Sequence, residues 1–385
     1  MYDFDTLLLR ENTNCTKWDA LKRDFGRDDL LPFWVADMDF PVLPEILQAI
    51  SRRAGEGQTF GYTFAGEEYL DSVLYWNKSR HDLSLSREDI IPIPGVVTAI
   101  SVILQRLTKE KDAIVINPPV YTPFFHAVEN LGRTLVQSPL VERDGRYTLD
   151  FDHLEQVFRQ GAKLYLLCSP HNPVGRVWTR EELERAAGLC RQYDVLLVSD
   201  EIHDDIVFSD HVHIPVLNIE PRAIQICAPS KTFNIAGLKS SVILVKDPEL
   251  RNNIQFGVDM LHLYPNLFAY EATIAAYRHG ARWLDELNRY LEDNARFTVD
   301  YLGRFLPKVG AYVPESTYLM WLDFSALGLS DEELEQTMIQ KAGVALNKGS
   351  DYGPGYGQYM RLNIGVPRSY LEMGLHKIVE GFQGF

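Results

Sequence analysis

Positive charge is scarce in this sequence: 38 Lys and Arg stand against 53 Asp and Glu, a formal net charge of −15 at pH 7. Nucleic acids and anionic membranes are bound through basic surfaces, so neither is an expected partner. Cysteine is scarce too. Of Cys15, Cys168, Cys190 and Cys227, no two have CxxC spacing and three lie within apolar segments. That usage predicts reduced, packed thiols and a cytoplasmic protein. No apolar run approaches the roughly 18 residues of a membrane span. The opening MYDFDTLLLRENTNC has acids where a secretory leader carries bases ahead of an apolar core, so no signal peptide is expected. Internal repeats, low-complexity tracts and long linkers are also missing.

What is present is apolar material in quantity. Hydrophobic residues make up 46% of 385 residues, a length that favours two domains over one core. Short apolar runs recur through the middle of the chain: DAIVIN (112–117), KLYLLC (163–168), VLLVSD (195–200), RAIQIC (222–227) and SVILVK (241–246). Helical patterns separate them, the signature of an α/β fold with a mostly parallel sheet. One such helix is TREELERAAGLCRQYD (179–194), with Thr179 and Glu182 at capping-box spacing and Leu183, Ala186, Ala187 and Cys190 on one stripe. From about Tyr270 the pattern changes to long helices, then alternating stretches such as STYLMWLDF (316–324). This predicts a large domain over 46–275 and a smaller α+β domain formed by 1–45 with 276–385.

In open α/β sheets, ligands sit beyond the carboxyl ends of the strands. The unusual residues of this chain fall there: Tyr121 after DAIVIN, Asn172 after KLYLLC, Asp200 and His203 at the end of VLLVSD, and Lys231 in APSKTFNIAGL after RAIQIC. Each alone has an ordinary explanation, as turn former, helix cap or core aromatic. Four consecutive strand ends carrying such groups point instead to one pocket. PGVVTAISVILQRLT (94–108) adds a helix entered through Gly95, whose first N–H groups near Val96, Val97 and Thr98 suit a phosphate as well as they suit a plain buried helix. The glycine-rich DYGPGYGQY (351–359) lacks GxGxxG spacing and opens no helix, so it reads as a loop leading to Arg361.

The motifs WVADMDF (34–40), PGVV (94–97), SPHNPVGRVW (169–178), SDEIH (199–203) and PSKTFNIAGL (229–238), with YMRLNIGVPR around Arg361, resemble the MalY/PatB-type cystathionine β-lyases, the cystalysin-like C–S lyases. These lie within the fold-type-I pyridoxal-phosphate enzymes of the class I/II aminotransferase superfamily. The resemblance spans nearly the whole chain and is more specific for the superfamily than for the reaction. It implies pyridoxal 5'-phosphate as cofactor, held covalently by Lys231, which then acts as the base at the substrate Cα. It also implies that Asp200 pairs with the pyridine nitrogen, Asn172 with the ring 3-oxygen, and Tyr121 with the ring face. His203 stands where many relatives carry tyrosine and is expected to support Asp200 or the 3-oxygen. Val96 and Val97 would offer backbone amides to the phosphate, aided by Ser230 and Lys239. Lys239 replaces an arginine common in aminotransferases, and Ala228 a common serine. Arg361 would hold the substrate carboxylate bidentately. Tyr62, in FGYTFAG (60–66), resembles a tyrosine lent to the neighbouring subunit's phosphate site, which implies a homodimer with a shared active site.

The implied reaction is β-elimination from L-cystathionine and other S-substituted cysteines, small amino-acid substrates that would yield thiol, pyruvate and ammonia, with Tyr121 as a candidate proton donor to sulfur. The alternative within the superfamily is an amino-acid aminotransferase. From a different class, Asp200, His203, Asp204, Asp205, His211 and His213 could form the metal site of a hydrolase, a reading that leaves Lys231, Asn172 and Arg361 without a task.

Overall fold

The computed structural model describes residues 2–55 and 59–385. Seven strands form its main sheet: β1 (Ile90–Ile93), β2 (Ala113–Ile116), β3 (Thr134–Gln137), β4 (Leu164–Cys168), β5 (Leu196–Asp200), β6 (Ile224–Cys227) and β7 (Ser241–Leu244). Their spatial order is β1-β7-β6-β5-β4-β2-β3. The pairs from β6 across to β3 are parallel. Every residue of β4, β6 and β7 is buried, as expected where helices cover both faces. That double burial produces the unbroken apolar runs of the sequence.

All five expected strands form, but β7 runs antiparallel to both its neighbours. A run that is apolar on both faces carries no mark of direction, so the reversal is invisible in the sequence. β1 and β3 were not expected at all. β1 is an edge strand of four residues containing Pro92, tolerable there because an edge leaves one side of the strand unpaired.

Between the strands, α1 (Val96–Leu107) follows β1 directly through Gly95. α2 (Arg180–Tyr193) has the capping box read from its sequence: Glu182 N donates to Thr179 Oγ1 at 3.2 Å, and Thr179 N donates to Glu182 Oε2 at 2.8 Å. Its buried residues are the stripe Leu183, Ala186, Ala187 and Cys190.

The C-terminal part contains the long helix α3 (Ala281–Phe305) and a three-stranded antiparallel sheet of β8 (Leu319–Asp323), β9 (Asn347–Lys348) and β10 (Tyr359–Asn363), ordered β8-β10-β9. α4 (Arg368–Phe382) closes it. The N-terminal segment joins this part: Leu31 and Pro32 pair with Val344 and Ala345, and Phe33 stacks on Tyr370. Among the described residues, no helix is long and apolar enough to cross a membrane.

Candidate active site

Because β7 is reversed, its first residue lies opposite the last residue of β1 (Ser241 beside Ile93), so its entry shares one sheet edge with the exits of the other strands. A cavity of about 180 Å³ opens at that edge. Val96 and Val97 reach it from the start of α1, Tyr121 from the segment after β2, and Asn172 from the loop after β4. Asp200 ends β5 and His203 lies in the turn after it, Ser230 and Lys231 come from the exit of β6, and Lys239 from the entry to β7. These nine residues, selected from sequence, share one wall-to-wall space. Arg361, on β10, is buried at its margin. Its Nη1 donates to Asn172 Oδ1 at 3.2 Å, and its Nη2 donates to Trp34 O at 2.8 Å and Asn347 Oδ1 at 2.7 Å. Tyr62 is elsewhere, with its side chain wholly exposed.

Lys231 sits in a single helical turn, Pro229–Thr232, started by proline at the exit of β6. Its Nζ donates to Ala36 O at 2.6 Å. Part of the side chain faces the cavity, yet the surrounding packing is dense. Burial, then the Arg361 charge, lowers the amine from the usual lysine range to about 8. Asp200 moves the other way: burial raises its carboxyl to about 7, although Oδ1 accepts the Ile202 N–H at 3.1 Å. Burial, followed by the Lys231 and Arg361 charges, lowers His203 to about 3, so the imidazole is neutral, and its Nδ1 has no partner. Burial also raises the Tyr121 hydroxyl to about 12, which keeps it protonated at neutral pH.

The start of α1 supplies the complementary end of the cavity. Gly95 has φ +135°, a conformation that side-chain-bearing residues rarely adopt, and no side chain caps the helix. The first-turn N–H groups of a helix have no partner within it and lie at the positive end of its dipole. Lys239, in a left-handed conformation at φ +59°, adds a full charge beside them.

A model of the class I and II aminotransferases matches residues 28–378. This chain belongs to that family. Within the family, it is 43% identical over 382 residues to cystathionine β-lyase PatB of Bacillus subtilis, covering 98% of both chains. It is 35% identical to protein MalY of Escherichia coli, covering 100% of this chain and 99% of MalY. Among solved structures, cystalysin from Treponema denticola, which contains a pyridoxal 5'-phosphate cofactor, superposes with a TM-score of 0.97 at 34% identity, over 100% of this chain and 99% of that one. The resemblance carried by the motifs therefore holds along the whole chain.

The family motif WVADMDF was visible in the sequence, but nothing there assigned a task to its backbone. In the structure, the carbonyls of Trp34 and Ala36 accept from Arg361 and Lys231. Asn347 was also missed, because β9 is only two residues long. The alternative metal cluster does not come together as one ligand set. His213 is bonded to Glu201 at 2.8 Å, His211 is exposed, and Asp205 accepts from Trp76 Nε1, Thr232 Oγ1 and His81. Among the described residues, the acid/imidazole group with ligand spacing is His81, Asp204 and Asp205. Its Asp205 is already satisfied by protein donors.

Proposed function

We propose that this protein is a pyridoxal-5'-phosphate-dependent carbon–sulfur β-lyase that cleaves L-cystathionine and other S-substituted cysteines to thiol, pyruvate and ammonia. The observation that carries this reading is the convergence of Lys231, Asp200 and Asn172 with the uncapped start of α1 in one cavity, Arg361 at its margin. The donor set fits the cofactor. A buried carboxylate (Asp200) suits a protonated ring nitrogen, while Asn172 and the neutral His203, with its free Nδ1, suit the ring 3-oxygen. The amides of Val96 and Val97, Ser230 and Lys239 suit a phosphate. Tyr121 suits the ring face. Bound there, the cofactor supplies an electron sink for negative charge developing at the substrate Cα.

The remaining work belongs to the chain. Arg361 holds the substrate carboxylate, with Trp34 O and Asn347 Oδ1 fixing one edge of its guanidinium. Lys231, whose amine loses its proton near pH 8, takes the proton from Cα. Tyr121 stays protonated and so can deliver a proton to the departing sulfur. With no leaving group on Cβ, the same machinery would serve amino transfer, the alternative reading. PatB, MalY and cystalysin are more similar to this chain than its aspartate aminotransferase relatives, which are 21–23% identical, and that favours elimination.

The same reading includes a large domain over 46–275, a small one from 1–45 with 276–385, and a homodimer to whose partner site Tyr62 contributes. Phe60, Tyr62 and Phe64 are all largely exposed, an aromatic patch that supports a buried role in an assembly. Four free cysteines fit a cytoplasmic location. The test is a visible absorption spectrum of the purified protein followed by pyruvate assays with L-cystathionine and L-cysteine. A protein that transfers amino groups to 2-oxo acids but releases no pyruvate is an aminotransferase, not this lyase.

A further inference from the structure

Lys17 and Asp39 have no exposed side-chain surface, and Nζ donates to Oδ2 at 2.7 Å. Asp39 Oδ1 also accepts from Trp18 Nε1 at 3.1 Å and Arg10 Nη1 at 2.9 Å. Arg10 in turn bonds both Asp37 oxygens, at 3.0 and 2.8 Å. Burying such charges costs desolvation that the pairing seldom repays as stability, so the cluster calls for another explanation.

What it holds is the stretch 34–37, and every carbonyl there accepts a hydrogen bond. Trp34 O receives Arg361 Nη2 at 2.8 Å, and Val35 O receives Asn363 Nδ2 at 2.6 Å. Ala36 O receives both Lys231 Nζ at 2.6 Å and Tyr318 Oη at 2.9 Å. Asp37 O receives Asn363 Nδ2 at 2.6 Å and Lys17 Nζ at 3.3 Å. Arg361 and Lys231, the clamp and the base of the proposed reaction, are therefore tied to the same strip of backbone, two residues apart.

We propose that Arg10, Lys17 and Asp39 are positioning residues for this reaction: their ion-pair cluster sets the 34–37 strip, and through it the placement of Arg361 relative to Lys231. This rests on the roles given above to those two residues. Displacements of about 1 Å at a reacting group can cost on the order of 100-fold in rate, so a rigid strip matters to both binding and turnover.

The test compares Arg10→Gln and the neutralised pair Lys17→Met/Asp39→Asn with wild type, as holoenzymes. Exchange of the Asp37 amide, which bonds Val35 O inside the strip, and of the adjoining Met38 amide, which bonds Asn234 Oδ1, both at 2.9 Å, reads the strip without reference to activity. The expected result is exchange there faster by about tenfold and a KM for L-cystathionine raised by about tenfold, with kcat changed less than KM. A cluster that only stabilises the fold would lower the melting temperature and the active fraction but leave KM alone. Unchanged exchange at Asp37 and Met38, or unchanged KM, in folded variants overturns the proposal. Arg10 is a quarter exposed, so Arg10→Gln decides the matter if the double variant fails to fold. Wild-type protein that releases no pyruvate defeats the lyase reading, while the exchange measurement still judges the strip.

Discussion

Arg361 Nη1 donates to Asn172 Oδ1 at 3.2 Å, linking the last strand of the small sheet to the loop that follows β4. The bond makes the proposed substrate clamp and the proposed 3-oxygen ligand parts of one arrangement. Arg361→Lys keeps the charge but loses the planar fork and at least one of three bonds. Hydrogen bonds to charged groups are worth about 1.5–3 kcal/mol, so kcat/KM should fall by roughly 10- to 100-fold. Most of the loss should appear in KM. Steady-state kinetics with L-cystathionine checks this, and an unchanged KM would remove Arg361 from the carboxylate site.

Asp200 gives two linked outcomes. Asp200→Ala should lower turnover by roughly 10²–10³, the scale for one preorganised electrostatic partner. The cofactor-free protein offers a second, independent readout. Its Asp200 carboxyl is raised by burial to about 7, above its unfolded value, so the folded state binds more protons between about pH 4 and 7. Stability from this group is therefore present at low pH and lost as pH rises through about 7. Asp200→Asn abolishes that contribution. Melting curves of cofactor-free wild type and variant should diverge as pH rises, the variant gaining relative to wild type, and parallel curves would contradict the shift.

Much of this was legible in the sequence, for a definite reason. β4, β5 and β6 read as largely apolar runs because nearly all their residues are buried, and a lysine just past β6 or an aspartate at the end of β5 has no ordinary surface role. The reversal of β7 was not legible, since VIL reads alike in either direction. Nor was the work of Trp34 and Ala36, which act through carbonyls that every residue possesses. Lys17 gave no signal either: a lysine in a short helix reads as solvated until the fold buries it against Asp39.

Lys231 carries the most direct test of cofactor chemistry. Its amine loses its proton near pH 8, well below an ordinary lysine, and only the neutral amine attacks an aldehyde. Covalent uptake of pyridoxal phosphate by the cofactor-free protein should speed up as pH rises to about 8 and level off above it. The rate is read from the growth of visible absorbance. Lys231→Ala should show no band that borohydride can fix to the chain. A fixable band in that variant would place the attachment at another amine.

Tyr62 tests the shared site. Its exposed side chain lies outside the cavity of its own chain, so the contribution proposed for it is to the site of a neighbouring chain. Tyr62→Phe should bind pyridoxal phosphate more weakly by roughly tenfold, the cost of about one hydrogen bond to a charged group. Lys231→Ala should be inactive. When the two variants are unfolded together in equal amounts and refolded, half of the dimers should be mixed. Each mixed dimer holds one site with Lys231 from one chain and Tyr62 from the other. At limiting cofactor, activity should therefore approach about a quarter of wild type, above that of either variant alone. If the mixture merely averages the two variants, Tyr62 serves no partner site.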